Sequence, residues 1–232
     1  MNFSSKKENE LWDYFQQNDI SVFSNNHMRH EKLVEFAKKG MPTNSSLLNI
    51  GAGDGYLESY ALKNGFRVSS CDPSSKTMEI LKEKKIDARV GSADQIPFED
   101  EVFDVVIATE IFEHLTEKEF KKALKEVKRV LKPNGLLVGT VPFQENLSEN
   151  EVYCPHCSNR FHRWGHFQTF KESDICNLLS LDFTNIYTGK RTYVIFRGRN
   201  FFGKIKSLIR SILGRLGSPM AYPKIFFHAR RS

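Results

Sequence analysis

The stretch "LLNIGAGDGYLE", residues 47–58, decides the fold class of this chain. It begins with a short apolar run, and Gly51, Gly53 and Gly55 follow directly. An apolar strand, a glycine turn and the start of a helix form the first unit of many open α/β sheets. Glycines let the backbone approach a ligand closely, and the helix N-terminus offers free N–H groups to it. The stretch therefore predicts a nucleoside-binding loop between a buried strand and a helix.

Outward from this loop, apolar runs alternate with helical patterns. The runs that read as further strands are residues 66–71, 103–109 and 135–142. Between the last two, Thr116 and Glu119 have the spacing of a capping box, which predicts the start of a helix. Continuous apolar runs separated by helices are typical of a parallel sheet that is covered on both faces.

An acidic residue follows the second predicted strand. Asp72 lies seventeen residues after Gly55, at the end of residues 66–71. A carboxylate at the tip of the neighbouring strand can accept hydrogen bonds from both hydroxyls of a ribose. The glycine spacing here is G-x-G-x-G rather than the G-x-G-x-x-G of dinucleotide enzymes, so a pyrophosphate cradle is less well supported.

Over residues 30–145 the chain resembles the class I S-adenosylmethionine-dependent methyltransferases, of the type 11 and ubiquinone-biosynthesis O-methyltransferase kind. The segments that carry the resemblance, in chain order, are "NIGAGDG" (49–55), "CDPS" (71–74), "GSADQIPFEDEVFDVVIATEIFEHL" (91–115) and "EVKRVLKPNGLLVGTVP" (126–142). The resemblance implies an α/β fold with a Rossmann-like seven-stranded sheet and helices on both faces. We expect one domain over residues 1–232, with N-terminal helices in 1–40 and the cofactor-binding core in 41–145.

The resemblance also implies where S-adenosylmethionine would bind. Asp94 would accept a hydrogen bond from the adenine amino group, and Met78 and Ile96 would flank the ring. Related sequences often carry Asp or Glu at the position of Asn49, so the usual contact there with the amino-acid end of the cofactor is not implied. The full set of cofactor residues implied is Asn49, Gly51, Gly53, Gly55, Asp72, Ala93, Asp94 and Thr109.

Just after the fourth strand, "EIFEHL" contains Glu110-x-x-Glu113-His114. This pattern resembles ubiquinone-biosynthesis O-methyltransferases and small-RNA 3′-terminal 2′-O-methyltransferases, in which such residues hold Mg²⁺ or Mn²⁺ together with a further histidine. Here His166, in "GHFQTF", is a partial match to that histidine. We expect His114 or His166 to act as the base, or as a metal partner with Glu110. The alternative is that Glu113 and His114 brace the helix, as in relatives that use no metal.

The segment 150–170 forms a predicted Cys/His loop. Cys154-x2-Cys157 and His162-x3-His166 have the spacings of structural zinc ligands. The competing role of His166 is at the active site, and one histidine cannot readily serve both. The remaining alternative is a pair of reduced thiols with surface histidines.

The basic charge is concentrated at the C-terminal end. The net charge is +6, yet no Asp or Glu follows Asp182, whereas eleven Lys and Arg do. Residues 200–217 predict a basic amphipathic helix that precedes a final strand over 224–231. The helix is expected either to pack on the fold or on a twin subunit, or to lie on an anionic membrane surface. Nucleic acid ranks third, because the chain has no recognisable RNA-binding pattern.

The N-terminal residues lack the apolar run of a signal peptide, and no stretch reaches the roughly 18 apolar residues of a membrane span. We therefore expect a cytoplasmic protein, with peripheral membrane attachment as an option. The leading prediction is an O-methyltransferase acting on a hydroxyl of a glycan, a lipid-linked or a quinone-like molecule. The alternatives are a metal-dependent RNA 2′-O-methyltransferase and a non-catalytic scaffold that binds the cofactor.

Overall fold

The computed structural model describes residues 12, 14–16, 18, 21–24, 26–193, 200–215 and 222–232. The helices are α1 (Ser21–Ser24), α2 (His27–Lys39), α3 (Tyr56–Lys63), α4 (Ser75–Glu83), α5 (Glu117–Val130), α6 (Glu172–Leu179) and α7 (Phe201–Arg215). The strands are β1 (Ser46–Ile50), β2 (Arg67–Asp72), β3 (Asp87–Val90), β4 (Phe103–Thr109), β5 (Leu131–Pro142), β6 (Glu151–Tyr153), β7 (Arg160–His162), β8 (Phe183–Arg191) and β9 (Lys224–Arg231). A 3₁₀ turn covers Phe112–His114 and another covers Leu147–Asn150.

Seven strands form one sheet in the order β3-β2-β1-β4-β5-β9-β8. The pairs from β3 to β5 are all parallel, whereas β9 is antiparallel to both of its neighbours. This arrangement confirms the predicted α/β fold with a seven-stranded, Rossmann-like sheet. Because parallel strands point the same way, β1, β2, β4 and β5 all end at one edge, and ligands of open α/β sheets bind at that edge.

Both faces of the sheet are covered by helices, as predicted. Along β1, Leu47 packs into the apolar cluster under α2, α3 and α4, whereas Leu48 and Ile50 face the cluster under α5 and α6. The alternation follows from the two-residue period of a strand. Helix α5 buries one stripe, and its predicted capping box of Thr116 and Glu119 is present.

The element boundaries differ from the predictions in a few places. Strand β5 begins at Leu131 rather than at residue 135, so Pro133, Asn134 and Gly135 lie within the strand. The final strand has the predicted bounds, and α7 ends at Arg215 in the described part of the predicted 200–217 helix. Of the N-terminal helices predicted within residues 1–40, α2 is present, and most residues before Ser21 lie outside the described ones. The described helices include none that is both long and apolar enough to span a bilayer.

Candidate functional site

The glycine loop after β1 adopts a backbone that its sequence requires. Gly51, Gly53 and Gly55 have φ angles of +85°, +54° and +72°, and residues with a Cβ atom rarely adopt such positive angles. The Gly51 amide donates to the Cys71 carbonyl at 2.9 Å, which joins the loop to β2. A Cβ on Gly51 would overlap the side chain of Ile111. The loop therefore provides the close backbone approach that the sequence predicts, and it fits a nucleoside ligand.

Asp72 is held at the end of β2 by the backbone. Its Oδ2 accepts from the Ala52 amide at 2.8 Å, and its Oδ1 accepts from the Ser74 amide at 2.9 Å. The side chain is 8% exposed. This geometry fixes a carboxylate beside the glycine loop, where a ribose-binding acid is predicted.

The other predicted cofactor residues lie along the same edge. Asp94 accepts from the Ser92 hydroxyl at 2.7 Å, and Ala93 is buried beside it. Met78 and Ile96, predicted to flank an adenine, are buried in opposite apolar clusters. Their roles toward the cofactor remain predictions.

Glu110 follows β4 in a strained conformation, with a φ of +56°. Its carboxylate pairs with Lys224 and lies 3.4 Å from the Arg29 guanidinium, and the Thr140 hydroxyl donates to it at 3.0 Å. Thr140 also bonds the hydroxyl of Thr109 at 2.8 Å. Burial alone would raise the pKa of Glu110, but the two cations offset it and hold the pKa well below its usual range. The oxygens of Glu110 are thus already engaged, and its role as a metal partner of His114 or His166 stays a prediction.

Glu113, His114 and His166 form the group that the structure brings together instead. Each offers a donor atom, and these atoms all lie within 4.8 Å of one another. Glu113 is 0% exposed, and neither of its carboxylate oxygens has a hydrogen-bond partner among the described residues. Burial, together with the nearby charge of Glu110, raises the pKa of Glu113. A buried carboxylate without donors is costly, so this set fits a cation.

The loop that carries His166 is tied to this group in two ways. The Glu113 carbonyl accepts from the amide of Phe167 at 2.8 Å. His166 Nδ1 bonds the carboxylate of Glu145 at 2.5 Å, which leaves Nε2 as the nitrogen for a ligand. A carboxylate behind a histidine is the usual second partner of a metal-binding imidazole. His162 stacks on His166 with ring centroids 4.6 Å apart and joins Glu145 and His166 in a second possible group.

The predicted set of four zinc ligands is not brought together among the described residues. Cys154 and Cys157 lie at the tip of the β6–β7 hairpin, where the Cys154 amide donates to the Asn159 carbonyl at 2.9 Å. His162 pairs with Glu151 at the other end of that hairpin, three residues along the strand from Cys154. Backbone amides of the turn lower the pKa of the Cys154 thiol, so the pair itself is suited to a soft cation.

Aromatic side chains cover the group of Glu113, His114 and His166. Trp12 stands edge-on to His114 with centroids 5.2 Å apart, and Phe15 packs on Trp164 at 5.6 Å. Phe23 lies over the glycine loop, where a Cβ on Gly53 would approach its ring to 3.0 Å. Aromatic rings therefore lie beside the group of Glu113, His114 and His166 and over the glycine loop.

Sequence reasoning missed three charged residues. Arg29 lies on the buried side of α2, where a charge one turn before Leu33 is a detectable signal. Glu58 is buried on α3, and Glu145 follows the end of β5 as acids at ligand edges often do. The spacing of Glu145 from β5 was visible in the sequence, but its pairing with His166 depends on a loop that only the structure positions.

Comparisons with known proteins agree with the domain and the fold. Residues 48–139 match the model of a methyltransferase domain. An uncharacterized methyltransferase of Schizosaccharomyces pombe is 36% identical over 115 residues, which is 45% of each chain. A ubiquinone biosynthesis O-methyltransferase of Pelagibacter ubique is 34% identical over 100 residues, 40% of each chain. The structure of a Burkholderia thailandensis 1,6-didemethyltoxoflavin-N1-methyltransferase with S-adenosylhomocysteine has a TM-score of 0.67 at 13% identity and covers all of this chain and 92% of that one.

The fold, the glycine loop and the domain match together identify the class of protein. Residues 48–139 match a methyltransferase domain, and the chain has the fold of class I S-adenosylmethionine-dependent methyltransferases. The match spans less than half the length of the two relatives named above.

Proposed function

We propose that the protein transfers the methyl group of S-adenosylmethionine to a hydroxyl oxygen, with Mg²⁺ or Mn²⁺ held by Glu113, His114 and His166. The observation that carries the proposal is the buried carboxylate of Glu113, which has no donor within the described structure and lies beside two imidazoles. The carboxylate of Glu113 and the imidazoles of His114 and His166 form a mixed oxygen–nitrogen set, which hard and borderline divalent cations accept.

The chain itself contributes positioning. The methyl group passes from sulfur to oxygen in one displacement, in which the carbon–sulfur bond breaks, the thioether leaves and the hydroxyl loses its proton. Holding donor and acceptor in line at about 3 Å supplies on the order of 7–11 kcal/mol of such a barrier. A bound divalent cation would supply the charge that favours loss of the hydroxyl proton.

His166 is arranged for either of two duties. Burial lowers the pKa of its imidazole, so the ring is neutral near pH 7 and its Nε2 can bind a cation or accept a proton. Glu145 holds the other nitrogen and fixes the ring orientation. The predicted base role and the predicted metal role thus use the same atom.

We propose further that the acceptor is a hydroxyl on a lipid-linked, quinone-like or glycan molecule at a membrane surface. Seven apolar side chains of α7 are between 40% and 77% exposed: Phe201, Phe202, Ile205, Leu208, Ile209, Ile212 and Leu213. These side chains stay substantially exposed within the described part of the chain, which speaks against full packing of this face on the fold. The eleven Lys and Arg and the absence of acids beyond Asp182 favour an anionic bilayer as the partner. A homodimer would cover the same face and is the alternative that a vesicle assay separates.

Zinc at the hairpin tip stays a separate proposal. The lowered pKa of Cys154 and the tight Cys-x2-Cys turn support a soft-metal site there. Elemental analysis of the purified chain tests it: we expect zinc to be lost in Cys154→Ser and retained in Glu113→Gln.

The test of the activity uses labelled S-adenosylmethionine with three fractions of cell extract: membrane lipid, polysaccharide and RNA. We expect label in the lipid or polysaccharide fraction, loss of transfer on chelation, and recovery with Mn²⁺. Glu113→Gln is expected to lose transfer, whereas Glu117→Gln, at an exposed ion pair, should retain it. Label in RNA would support the RNA 2′-O-methyltransferase alternative. Binding of the cofactor without transfer to any fraction would support the scaffold alternative.

A further inference from the structure

The tip of the β6–β7 hairpin has the local geometry of one half of a zinc site. The backbone amides of Cys157 and His156 and the Cys157 thiol donate to the sulfur of Cys154, which lowers the pKa of the Cys154 thiol. The turn is closed by the Ser158 amide, which donates to the Cys154 carbonyl at 2.8 Å. The thiolate is the form of cysteine that binds metal, and donors to the sulfur stabilise it. The hairpin therefore presents two sulfur ligands side by side.

The rest of the chain does not complete this site. All four cysteines and all seven histidines of the sequence are among the described residues. Within those residues, no group of three or more possible metal ligands includes Cys154 or Cys157. Cys71 is buried in β2, and His162 lies at the other end of the hairpin. Structural zinc takes four ligands in tetrahedral geometry, so one chain supplies half of a set.

The surroundings of the two sulfurs leave room for another chain. Cys157 is exposed, and so are its neighbours His156 and Tyr153. Residues 153–159 contain no Asp, Glu, Lys or Arg, so two such tips can meet without repulsion between charged side chains. A two-fold contact brings the same surface of each copy to one axis, and two Cys-x2-Cys turns at that axis supply four sulfurs.

We infer that two copies of this chain share one zinc ion, which Cys154 and Cys157 of each copy bind. The inference rests on the zinc proposed at the hairpin tip and adds the second half of its ligands, whereas the proposed methyl transfer does not depend on it. The four thiols release their protons as the ion binds. The contact is separate from the exposed face of α7, since residues 201–215 contain no cysteine or histidine.

The first test measures the zinc content and the mass of the full chain, loaded with zinc in a phosphine reductant that prevents disulfides. Elemental analysis should give one zinc for two chains, and sedimentation velocity should show a dimer that a chelator converts to monomer. Cys157→Ser should lose the zinc and sediment as a monomer at the same concentration. Cys176→Ser, on α6, is the matched control and should keep both the zinc and the dimer. Binding of S-adenosylhomocysteine reports that each variant is folded.

The second test uses mass action. When two chains share one ion, the free zinc at half saturation varies inversely with chain concentration, so about tenfold more chain should lower it about tenfold. A site completed within one chain would show no such dependence.

The outcomes also separate this inference from the zinc proposal on which it rests. One zinc on each monomeric chain would overturn the shared site and leave zinc at the hairpin tip. A parent chain that binds no zinc would overturn both. A dimer that persists in Cys157→Ser and in chelator would overturn the shared site as well, because it would place the contact between copies elsewhere.

Discussion

Carboxylates lie in two regions of the sheet edge where ligands of this fold bind, and they differ in their hydrogen-bond partners. We call the glycine loop with Asp72 the cofactor half, and the group of Glu113, His114 and His166 the acceptor half. On the cofactor half, Asp72 receives two backbone amides and is fixed before any ligand arrives. On the acceptor half, Glu113 is fully buried and receives no hydrogen bond from the described residues. A carboxylate held by the backbone is already in place for a neutral ribose. A carboxylate without donors is unstable alone and is stabilised by a cation.

The same contrast separates two acids three residues apart. Glu110 is paired with Arg29 and Lys224, whereas Glu113 lies beside the imidazoles of His114 and His166. Burial lowers the pKa of the His166 imidazole. The cations near β4 therefore neutralise one acid and leave the other for a ligand. In chain order the two glutamates are equivalent members of one pattern, but only one of them is available.

The largest expected effect comes from a substitution in the acceptor half. Glu113→Gln should weaken Mn²⁺ binding by about 100-fold or more, because it removes the only anionic ligand of the group. Above about pH 8, where the raised pKa of Glu113 leaves its carboxylate charged, the metal-free variant should also gain about 1–3 kcal/mol of stability, since a buried charge without donors is replaced by a neutral amide. Mn²⁺ titration followed by electron paramagnetic resonance measures the first effect, and urea unfolding measures the second. Unchanged Mn²⁺ affinity would falsify the assignment of the group.

The next largest effect comes from a substitution in the cofactor half. Asp72→Asn should weaken S-adenosylhomocysteine by about 10–100-fold, because the carboxylate is replaced where two ribose hydroxyls donate. Mn²⁺ affinity should stay within about twofold of the parent, since Asp72 is not a member of the cation group. Titration calorimetry with each ligand measures both, and a loss of Mn²⁺ binding in this variant would show that the two halves are not independent.

The sequence predicts the cofactor half better than the acceptor half, and the reason is local. The glycine loop, β1 and the acid at the end of β2 are all set by residues close in the chain, and the positive φ angles require glycine at those positions. The last strand was likewise predicted from its own residues, 224–231, whereas the strand order comes from the structure. The position of Asp72, at the end of the strand that neighbours β1, was therefore predictable from the sequence.

The acceptor half depends on residues far apart in the chain. His166 meets Glu113 because one loop amide bonds the Glu113 carbonyl, a contact across more than fifty residues. The ion pairs that occupy Glu110 come from α2 and β9, at opposite ends of the chain. Local spacing therefore grouped Glu110 with Glu113, and it grouped the hairpin cysteines with His162. In the folded chain Glu110 is engaged in ion pairs, and His162 lies at the other end of the hairpin from the cysteines.

A smaller effect sharpens the role of the second buried acid on the cofactor half. Burial raises the pKa of Glu58 from 4.5 to about 7. A carboxyl whose pKa is raised on folding contributes stability that is fully present below about pH 4.5 and is lost as the pH rises through about 7. The parent should therefore lose about 2–3 kcal/mol of unfolding free energy from this group between pH 4.5 and 8. Glu58→Gln should flatten that part of the slope.

Urea unfolding of the parent and of Glu58→Gln at pH 5 and pH 8 measures the difference in unfolding free energy. Glu113→Gln is the matched variant, because Glu113 is the other buried carboxyl whose pKa is raised. The two variants should each remove part of the slope, and together most of it. A parent and Glu58→Gln with the same slope would mean that Glu58 keeps its ordinary pKa in the folded chain.

The smallest expected effect concerns the exposed helix α7. Lys206 on α7 is exposed among the apolar side chains, and one basic residue near an anionic bilayer contributes about fivefold to binding. Lys206→Glu should weaken binding to phosphatidylserine-containing vesicles by about that factor or more, and the difference should shrink at high salt. Lys122→Glu, on α5, is the matched control because it reverses a charge of the same kind away from α7. Vesicle sedimentation measures both. If the two variants weaken binding equally, the attraction comes from the net charge of the whole chain, and the apolar face of α7 is then more simply covered by a second copy.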